Sequence, residues 1–195
     1  MIFVDNFYHE YKNKTIPRYT YPCYEYLNSI DWKNADVFEY GCGHSTIWWK
    51  DKDVNYTGVE DNEKWYDLLK KDEPSILLKK DLNDYVNSIY ETDKKFDVIV
   101  IDGKRRFNCV EPALNCVKKD GMVVLDNSDM YINSKIQLDN SDLIPIHFHG
   151  FKFIHDYPET TSCYIGRDFK RKAKSILPMG GYRHGLQECD LKICE

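Results

Sequence analysis

The residues with the clearest chemical meaning lie in Val37–Thr46, which reads VFEYGCGHST. An acid, Glu39, ends a predicted strand, and Gly41 and Gly43 then turn the chain toward a predicted helix. Glycine suits such a turn because a Cβ atom would keep the backbone away from a bound ligand. The amide groups that open the next helix can hold polar or anionic ligand groups. The segment therefore predicts a turn that a ligand approaches closely.

A second acid, Glu60, ends the following predicted strand in the sequence GVEDN. A carboxylate there can accept hydrogen bonds from ribose hydroxyls, so the combined pattern favours an adenosine-containing ligand. A dinucleotide fingerprint would place a third glycine at Thr46, and the acid before Gly41 does not help a pyrophosphate. The ammonium group of S-adenosylmethionine (SAM) suits Glu39, directly or through water. The motif therefore favours SAM over NAD.

Oxygen ligands follow two later predicted strands. Asp102 comes after FDVIVI, and Asp126 and Asn127 come after MVVL. In a parallel sheet these strand ends open on the side where ligands bind. Three such ligands could hold Mg²⁺ or Mn²⁺, which would orient an acceptor hydroxyl and lower its pKa. The alternative is that Asp126 and Asn127 cap a helix or turn.

Further catalytic candidates are basic. Lys104, in the run Lys104–Arg106 after IDG, could orient an acceptor or act as a base if its pKa were lowered, or lie in a solvated loop. His147 and His149 alternate along a predicted strand and so share one face, with His155 nearby. They could serve as base or ligands, or be structural.

Several weaker signals have plain structural interpretations. Trp48 and Trp49 are expected in the core. The basic run Arg167–Lys174 is expected to be a solvated extension, with a phosphate-bearing partner as the alternative. His184, Cys189 and Cys194 could form only a partial zinc site.

The elements that must position these residues follow a βα rhythm. Pro17–Ile30 is expected to be a loop leading into a short helix. Strands are predicted at Asp36–Tyr40, Tyr56–Val59, Ser75–Leu78, Phe96–Ile101 and Met122–Leu125, with an antiparallel edge at Ile144–Phe148 and Ser162–Ile165. Helices are predicted at Ser45–Asp51, Glu63–Lys71, Asn83–Tyr90 and Cys109–Lys118. This alternation predicts an α/β fold with a mostly parallel sheet.

Over roughly Pro17–Ile165 the chain resembles the class I SAM-dependent methyltransferases. The resemblance rests on E-x-G-x-G at Glu39–Gly43, on Glu60 and Asp81, and on FDVIVIDG and DGMVVLDN. It implies a doubly wound, seven-stranded, mostly parallel sheet with helices on both faces. Many family members have a third glycine where this chain has Ser45.

The resemblance also implies ligand contacts. SAM would lie across the carboxyl ends of the first strands, with Glu60 at the ribose, Asp81 and Leu82 near the adenine, and Arg18–Tyr21 over the methionine end. The implied cofactor contacts are Tyr19, Thr20, Glu39, Gly41, Cys42, Gly43, Ser45, Thr46, Glu60, Asp61, Asp81, Leu82 and Asp102. Asp102, Asp126 and Asn127 are similar to the metal ligands of metal-dependent O-methyltransferases.

Composition limits the functional class. With 195 residues and 42% hydrophobic content, the chain suits one packed domain, here taken as residues 1–166 with 1–30 as an N-terminal lid and helix, followed by the extension 167–195. A net charge of −5 disfavours binding to nucleic-acid backbones. The seven cysteines, without CxxC pairs, suggest reduced thiols. No apolar run approaches the ~20 residues of a membrane span, so a soluble, cytoplasmic protein is expected.

Methyl transfer to a hydroxyl of a sugar, glycan or other small polyol is the function that these signals favour, because acidic metal ligands suit vicinal hydroxyls. The sequence IDGKRR, where many DNA amine methyltransferases have an Asn-Pro-Pro or Asp-Pro-Pro motif, disfavours that activity. Two alternatives stay open: an NAD-dependent oxidoreductase, and a SAM-binding module without catalysis.

Overall fold

The computed structural model describes residues 16–153 and 155–174. These residues form a seven-stranded sheet of order β3-β2-β1-β4-β5-β7-β6. The strands are β1 Asp36–Tyr40, β2 Asn55–Glu60, β3 Ile76–Leu78, β4 Phe96–Ile101, β5 Val117–Leu125, β6 Ile144–Phe151 and β7 Pro158–Ile165. The helices are α1 Tyr21–Asn28, α2 His44–Lys50, α3 Glu63–Leu69, α4 Leu82–Asn87, α5 Arg106–Cys116 and α6 Ile132–Asp139, with a 3₁₀ turn at Ser88–Thr92.

The first five strands are parallel, and β7 is antiparallel to both of its neighbours, β5 and β6. Every residue of β4 is buried, as expected of a central strand covered on both faces. The predicted antiparallel edge is therefore confirmed, as is the doubly wound, mostly parallel sheet. The carboxyl ends of β1, β2, β4 and β5 meet on one side of the molecule.

Alternating side chains of the strands feed two separate hydrophobic layers. One face of the sheet packs on α1, α2 and the fully buried indoles of Trp32 and Trp49. The opposite face contains Phe38, Ile99 and Leu125 and packs on α4, α5 and α6. Trp48 and Trp49 are thus core residues, as predicted.

The sequence prediction was wrong at the end of α5. The helix ends at Cys116 rather than at Lys118, where the cations before Gly121 are typical of a helix carboxyl end, and residues 117–121 are the first part of β5. Lys118 points back to the sheet, where its Nζ lies 2.9 Å from carboxylate oxygens of both Asp36 and Asp97. The pairing of β4 with β5 is irregular there, between Phe96 and Val98. The helix α6 was not predicted.

The basic run at 167–174 has mostly exposed side chains, and its backbone is tied to the body of the protein. The backbone of Ala173 pairs with Ile30, and the Lys174 N–H donates to the Ser29 carbonyl at 2.7 Å. The guanidinium of Arg171 stacks over Trp32 and bonds Asp97 at 2.8 Å. These contacts engage the guanidinium of Arg171, whereas Arg167, Lys170, Lys172 and Lys174 are exposed. The candidate zinc ligands His184, Cys189 and Cys194 lie outside the described residues.

In the described ranges no helix has the length and apolar character needed to cross a membrane. The cysteines described there are free thiols, all of them buried: Cys23, Cys42, Cys109, Cys116 and Cys163.

Asp97 ties four segments together, which makes its removal a test of the fold. It accepts hydrogen bonds from the Asp36 N–H and from Lys118, besides the ion pair with Arg171. Burial acts to raise the pKa of Asp97, but these donors outweigh it and hold the pKa below its ordinary value. We expect Asp97→Asn to lower the free energy of unfolding by about 1–3 kcal/mol at pH 7. Urea unfolding measures this.

The same experiment has a pH dependence. Because the folded pKa is depressed, the contribution of Asp97 is present above the ordinary carboxyl pKa and is lost as the pH falls through the folded value. The difference in the free energy of unfolding between wild type and Asp97→Asn should therefore narrow toward pH 3. Asp120→Asn, an exposed change in β5, is the control and should leave stability unaltered. An equal loss in both variants would contradict this account of Asp97.

Candidate active site

A cavity of ≈430 Å³ opens at the carboxyl ends of β1, β2, β4 and β5. This volume lies in the range of small-molecule sites, about 300–1,000 Å³. The lining side chains are mostly charged or polar. They are Arg18, Gly41, Cys42, Gly43, His44, Ser45, Glu60, Asp61, Asn62, Trp65, Asp102, Gly103, Lys104, Arg106, Asp126, Asn127, Lys152 and His155.

The turn after β1 is shaped by two glycines that face each other. Gly41 has φ +87°, and a Cβ atom on it would lie 2.3 Å from the Cα of Gly103, in the turn after β4. A Cβ at Gly103 would in turn lie 2.0 Å from the Tyr85 hydroxyl. A Cβ at Gly43 would meet nothing within 4 Å, because this residue borders the open cavity. Side chains are thus excluded where the two turns meet, and space is left above them.

Glu39 holds this turn from below. Its carboxylate is fully buried and accepts hydrogen bonds from the hydroxyls of Ser45, Thr46 and Tyr56 at 2.5, 2.7 and 2.5 Å. Thr46 also accepts the Gly43 N–H at 2.9 Å, so the acid, the helix start and the turn form one network. Burial raises the pKa of Glu39 to about 6, although the three hydroxyls oppose the shift. Neither Glu39 nor Thr46 is among the residues that line the cavity; both support the turn that does.

Glu60 borders the cavity where a ribose was predicted. Its Oε1 accepts the N–H groups of Asp61 and Asn62 at 3.1 and 2.8 Å, and its Oε2 accepts the Cys42 N–H at 2.8 Å. A carboxylate oxygen can accept two hydrogen bonds, so Oε2 keeps one position for a ligand hydroxyl. The three backbone donors also fix the direction in which the carboxylate faces.

Lys104 lines the rim of the cavity but is unsuited to the base role predicted for it. Its Nζ pairs with Asp61 Oδ2 at 2.7 Å, and its side chain is 72% exposed. The hydrogen bond and charge of Asp61 raise the pKa of Lys104, which keeps it protonated. The basic candidate that matters on this side is Arg106, which is buried.

Arg106 and Lys152 occupy the place where a metal ion was predicted. Arg106 donates to Asp102 Oδ1 at 2.9 Å and to Asn127 Oδ1 at 3.1 Å. Lys152 Nζ lies 2.6 Å from Asp126 Oδ2, and the Thr161 hydroxyl donates to Asp126 Oδ1 at 2.6 Å.

All three predicted ligands are therefore already bound to cations or donors, and the set does not fit a divalent ion. Among residues 16–153 and 155–174, no group of three His, Cys, Asp or Glu side chains is arranged to hold a metal. Asp102 itself borders the cavity, and burial together with the neighbouring Asp126 raises its pKa, against the opposing charge of Arg106.

Of the three histidines considered from the sequence, His155 is the one that borders the cavity. Its Nδ1 lies 2.7 Å from Glu159 Oε1, and its ring stacks on Tyr157. The histidines predicted as catalytic do not line the cavity. His147 Nδ1 bonds the Ser162 hydroxyl and His149 Nδ1 bonds the Thr160 hydroxyl, both between strands β6 and β7.

Four more of the predicted cofactor contacts lie away from the cavity lining. Tyr19 is buried beside Trp49, and Thr20 bonds the Phe148 carbonyl and the Thr161 hydroxyl. Asp81 caps α4 by accepting the N–H groups of residues 83 and 84, and Leu82 is the first residue of that helix. Arg18, in the segment predicted to cover the methionine end, does border the cavity.

Lys152, Trp65, His44 and Asn62 line the cavity but were missed from the sequence. Asn62, two residues after Glu60, caps α3, which brings Trp65 to the cavity wall beside His44, with ring centroids 5.9 Å apart. The cap pattern before α3 was a signal that could have found Trp65. No local pattern marks Lys152, which reaches the site only because β6 ends beside β7.

The residues of this cavity fit a SAM-sized nucleoside. The glycine pair leaves space at the turn, Glu60 keeps an acceptor position, and Trp65 offers an aromatic wall. Asp102 and Glu60 place carboxyl oxygens beside a ligand that would bring a sulfonium and an ammonium group.

Solved structures with the same fold include three methyltransferases. The O-methyltransferase from Bacillus cereus, solved in complex with SAH, has a TM-score of 0.57 at 12% identity, covering 83% of this chain and 90% of that one. An rRNA methylase from Streptococcus thermophilus has a TM-score of 0.53 at 10% identity, covering 73% and 92%. The precorrin-6y C5,15-methyltransferase from Geobacter metallireducens has 0.52 at 13%, covering 68% and 80%. No protein-family model and no curated protein matches the sequence.

The raised pKa of Glu39 predicts a stability change with pH. Because the folded pKa is about 6 against an ordinary value of 4.5, ionisation of Glu39 opposes folding. We expect wild type to lose about 2 kcal/mol relative to Glu39→Gln as the pH rises from 4 to 7. Chemical unfolding at several pH values measures the difference.

The control for this prediction is Glu111→Gln, an exposed change on α5. It should keep the wild-type pH profile. If wild type gains stability relative to Glu39→Gln between pH 4 and pH 7, burial does not raise the pKa of Glu39 as described above.

Proposed function

We propose that this chain, which has the class I methyltransferase fold, is a SAM-dependent methyltransferase. The observation that carries the proposal is the glycine-walled turn beside the outward-facing Glu60, at the carboxyl ends of β1 and β2. Open parallel sheets bind ligands at these strand ends. The rival assignment to NAD finds less support, since Ser45 and Thr46 hold Glu39 where a dinucleotide turn would continue with glycine.

In this proposal the nucleoside lies along Gly41–Gly43, with a ribose hydroxyl on Glu60 Oε2 and the adenine against Trp65. Asp102, across the glycine pair, faces the methionine part. When bound, SAM supplies an electrophilic methyl group. The protein's own task is then to align an acceptor and take its proton.

The acceptor enters on the side of Asp126, Lys152 and His155. Arg106 and Lys152 fix the carboxyl groups of Asp102 and Asp126 in place there. This rigid, polar wall suits a small molecule with several hydroxyls, so methylation of a sugar or another small polyol at oxygen is the proposed reaction.

His155 is the proposed general base in place of His147 and His149. If Glu159 accepts the Nδ1–H, the lone pair of Nε2 is free for a proton from the acceptor hydroxyl. Glu159 also stabilises the protonated ring that results. The same pairing of a carboxylate with a histidine orients the imidazole in many acid–base sites.

Loss of Glu60 is the first test of the proposal. We expect Glu60→Gln to weaken SAH binding at least tenfold in calorimetry, because the ribose acceptor loses its charge and one of its oxygens. The matched control is Glu63→Gln, whose exposed partner is Lys80. Tight binding of NAD with no heat from SAH would contradict the cofactor assignment.

Removal of His155 tests the catalytic role. We expect His155→Ala to lower kcat for labelled-methyl transfer by about 10²–10⁴-fold, the usual contribution of a general base. The assay uses a panel of sugars, polyols and short RNAs. His149→Ala, on the neighbouring strand outside the cavity lining, is the control and should keep wild-type turnover. Equal rates in the two variants would remove His155 from the mechanism, and turnover of RNA alone would replace the polyol acceptor.

A further inference from the structure

Lys152 lies at the centre of a buried cluster of charges. Its side chain is 2% exposed, and its Nζ lies 2.6 Å from Asp126 Oδ2 and 2.7 Å from Glu159 Oε2. The two carboxylates come from different parts of the sheet, after β5 and within β7. Burial alone would lower the pKa of Lys152, but these two acids outweigh it and raise the pKa, so the ammonium stays charged.

The backbone holds Lys152 in this position. Directly after β6, it forms an antiparallel bridge with Thr20. Thr20 is itself fixed by its N–H, which donates to the Thr161 hydroxyl at 3.0 Å, while that hydroxyl donates to Asp126. Thr20 thus anchors the backbone of Lys152 and, through the Thr161 hydroxyl, the Asp126 carboxylate.

The remaining oxygens of the two acids are also engaged. Asp126 Oδ1 accepts the Thr161 hydroxyl, and Glu159 Oε1 faces His155. Glu159 Oε2 accepts a further bond from the Asn127 amide at 2.8 Å. Lys152 therefore occupies the point on which the free faces of both carboxylates converge.

The distances around this point fit an ammonium group rather than a divalent ion. Protein oxygens bind Mg²⁺ at about 2.0–2.1 Å and Ca²⁺ at about 2.3–2.6 Å, whereas 2.6–2.7 Å is normal for an ammonium hydrogen bond. A divalent ion could enter only by displacing the Lys152 ammonium, and Arg106 adds a second positive charge nearby.

We propose that Lys152 is the resident cation of the acceptor pocket, excluding a divalent metal and offering its remaining N–H to the acceptor oxygen. Two of its three N–H groups face Asp126 and Glu159, and the residue lines the cavity. The metal exclusion stands on this geometry alone, and the contact with the acceptor rests on the proposed methyl transfer. A fixed ammonium stabilises negative charge that develops on the acceptor oxygen as its proton leaves.

The test measures Mn²⁺ binding to the full chain by electron paramagnetic resonance. Wild type should bind no Mn²⁺ at this site, and Lys152→Ala should acquire a site with an affinity at least tenfold above any Mn²⁺ binding to wild type, since the Asp126 and Glu159 carboxylates are left facing an open point. Lys152→Gln, which keeps an N–H donor in the gap, is the second variant in case the alanine variant does not fold. Lys135→Ala, which frees Asp139 at the surface, is the control and should gain no such site.

Two results would contradict the proposed exclusion of a divalent metal. Mn²⁺ binding to wild type that Asp126→Asn abolishes would overturn the proposal, and so would a folded Lys152→Ala that takes up no Mn²⁺. If neither variant folds, the wild-type titration decides alone.

A second arm uses labelled-methyl transfer with an acceptor from the panel. EDTA should leave wild-type turnover unchanged, and Lys152→Met should lower kcat. A loss of turnover in EDTA that Mg²⁺ restores, or an unchanged kcat in Lys152→Met, overturns the acceptor role. If no acceptor is methylated while the Mn²⁺ results hold, the proposed function fails and the metal exclusion stands.

Discussion

The site depends on one close backbone contact, between the turn after β1 and the turn after β4. Gly41 and Gly103 approach so closely that neither position can carry a Cβ atom. This contact brings the ends of two adjacent parallel strands together and leaves open space beside Gly43. Glu39 is buried beneath the turn and fixes the turn's conformation through three hydroxyl donors. Among the described residues, no cation pairs with its carboxylate, so burial opposes its ionisation. The cavity is a consequence of this packing.

The two ends of the cavity differ in how their acids are balanced. Glu60 is held by backbone N–H groups and keeps an acceptor position for a ligand. Asp102 and Asp126 are instead held by Arg106 and Lys152, which are buried and charged. A nucleoside with hydroxyls and positive groups suits the first end, and an acceptor that develops negative charge suits the second. This division of charge is the physical basis of the proposed methyl transfer.

The strand pattern and the first turn were predictable from the sequence because they depend on local rules. The bounds of β1 and β4 were predicted correctly, since continuous apolar runs followed by an acid and glycine mark a buried parallel strand and its turn. The side chains at the acceptor end of the cavity were not predictable in this way. Lys152 and His155 reach the cavity through the pairing of β6 with β7, and His147 and His149, the more conspicuous pair, bond that neighbouring strand instead.

The metal prediction finds no support among the described residues for a similar reason. Three oxygen ligands after neighbouring strands are compatible with Mg²⁺, and no local feature reveals that Arg106 and a distant lysine will fill their free positions. The end of α5 was misjudged because Lys118 looked like a helix-terminal cation, whereas it pairs with Asp36 and Asp97 across the sheet. Long-range ion pairs decided both cases.

The most direct test of the central claim is a crystal structure of the protein with SAH. We expect the ribose beside Glu60, the adenine against Trp65, and the sulfur on the side of Asp102 and His155. An intact fold with SAH bound elsewhere, or with this cavity empty at saturating SAH, would contradict it.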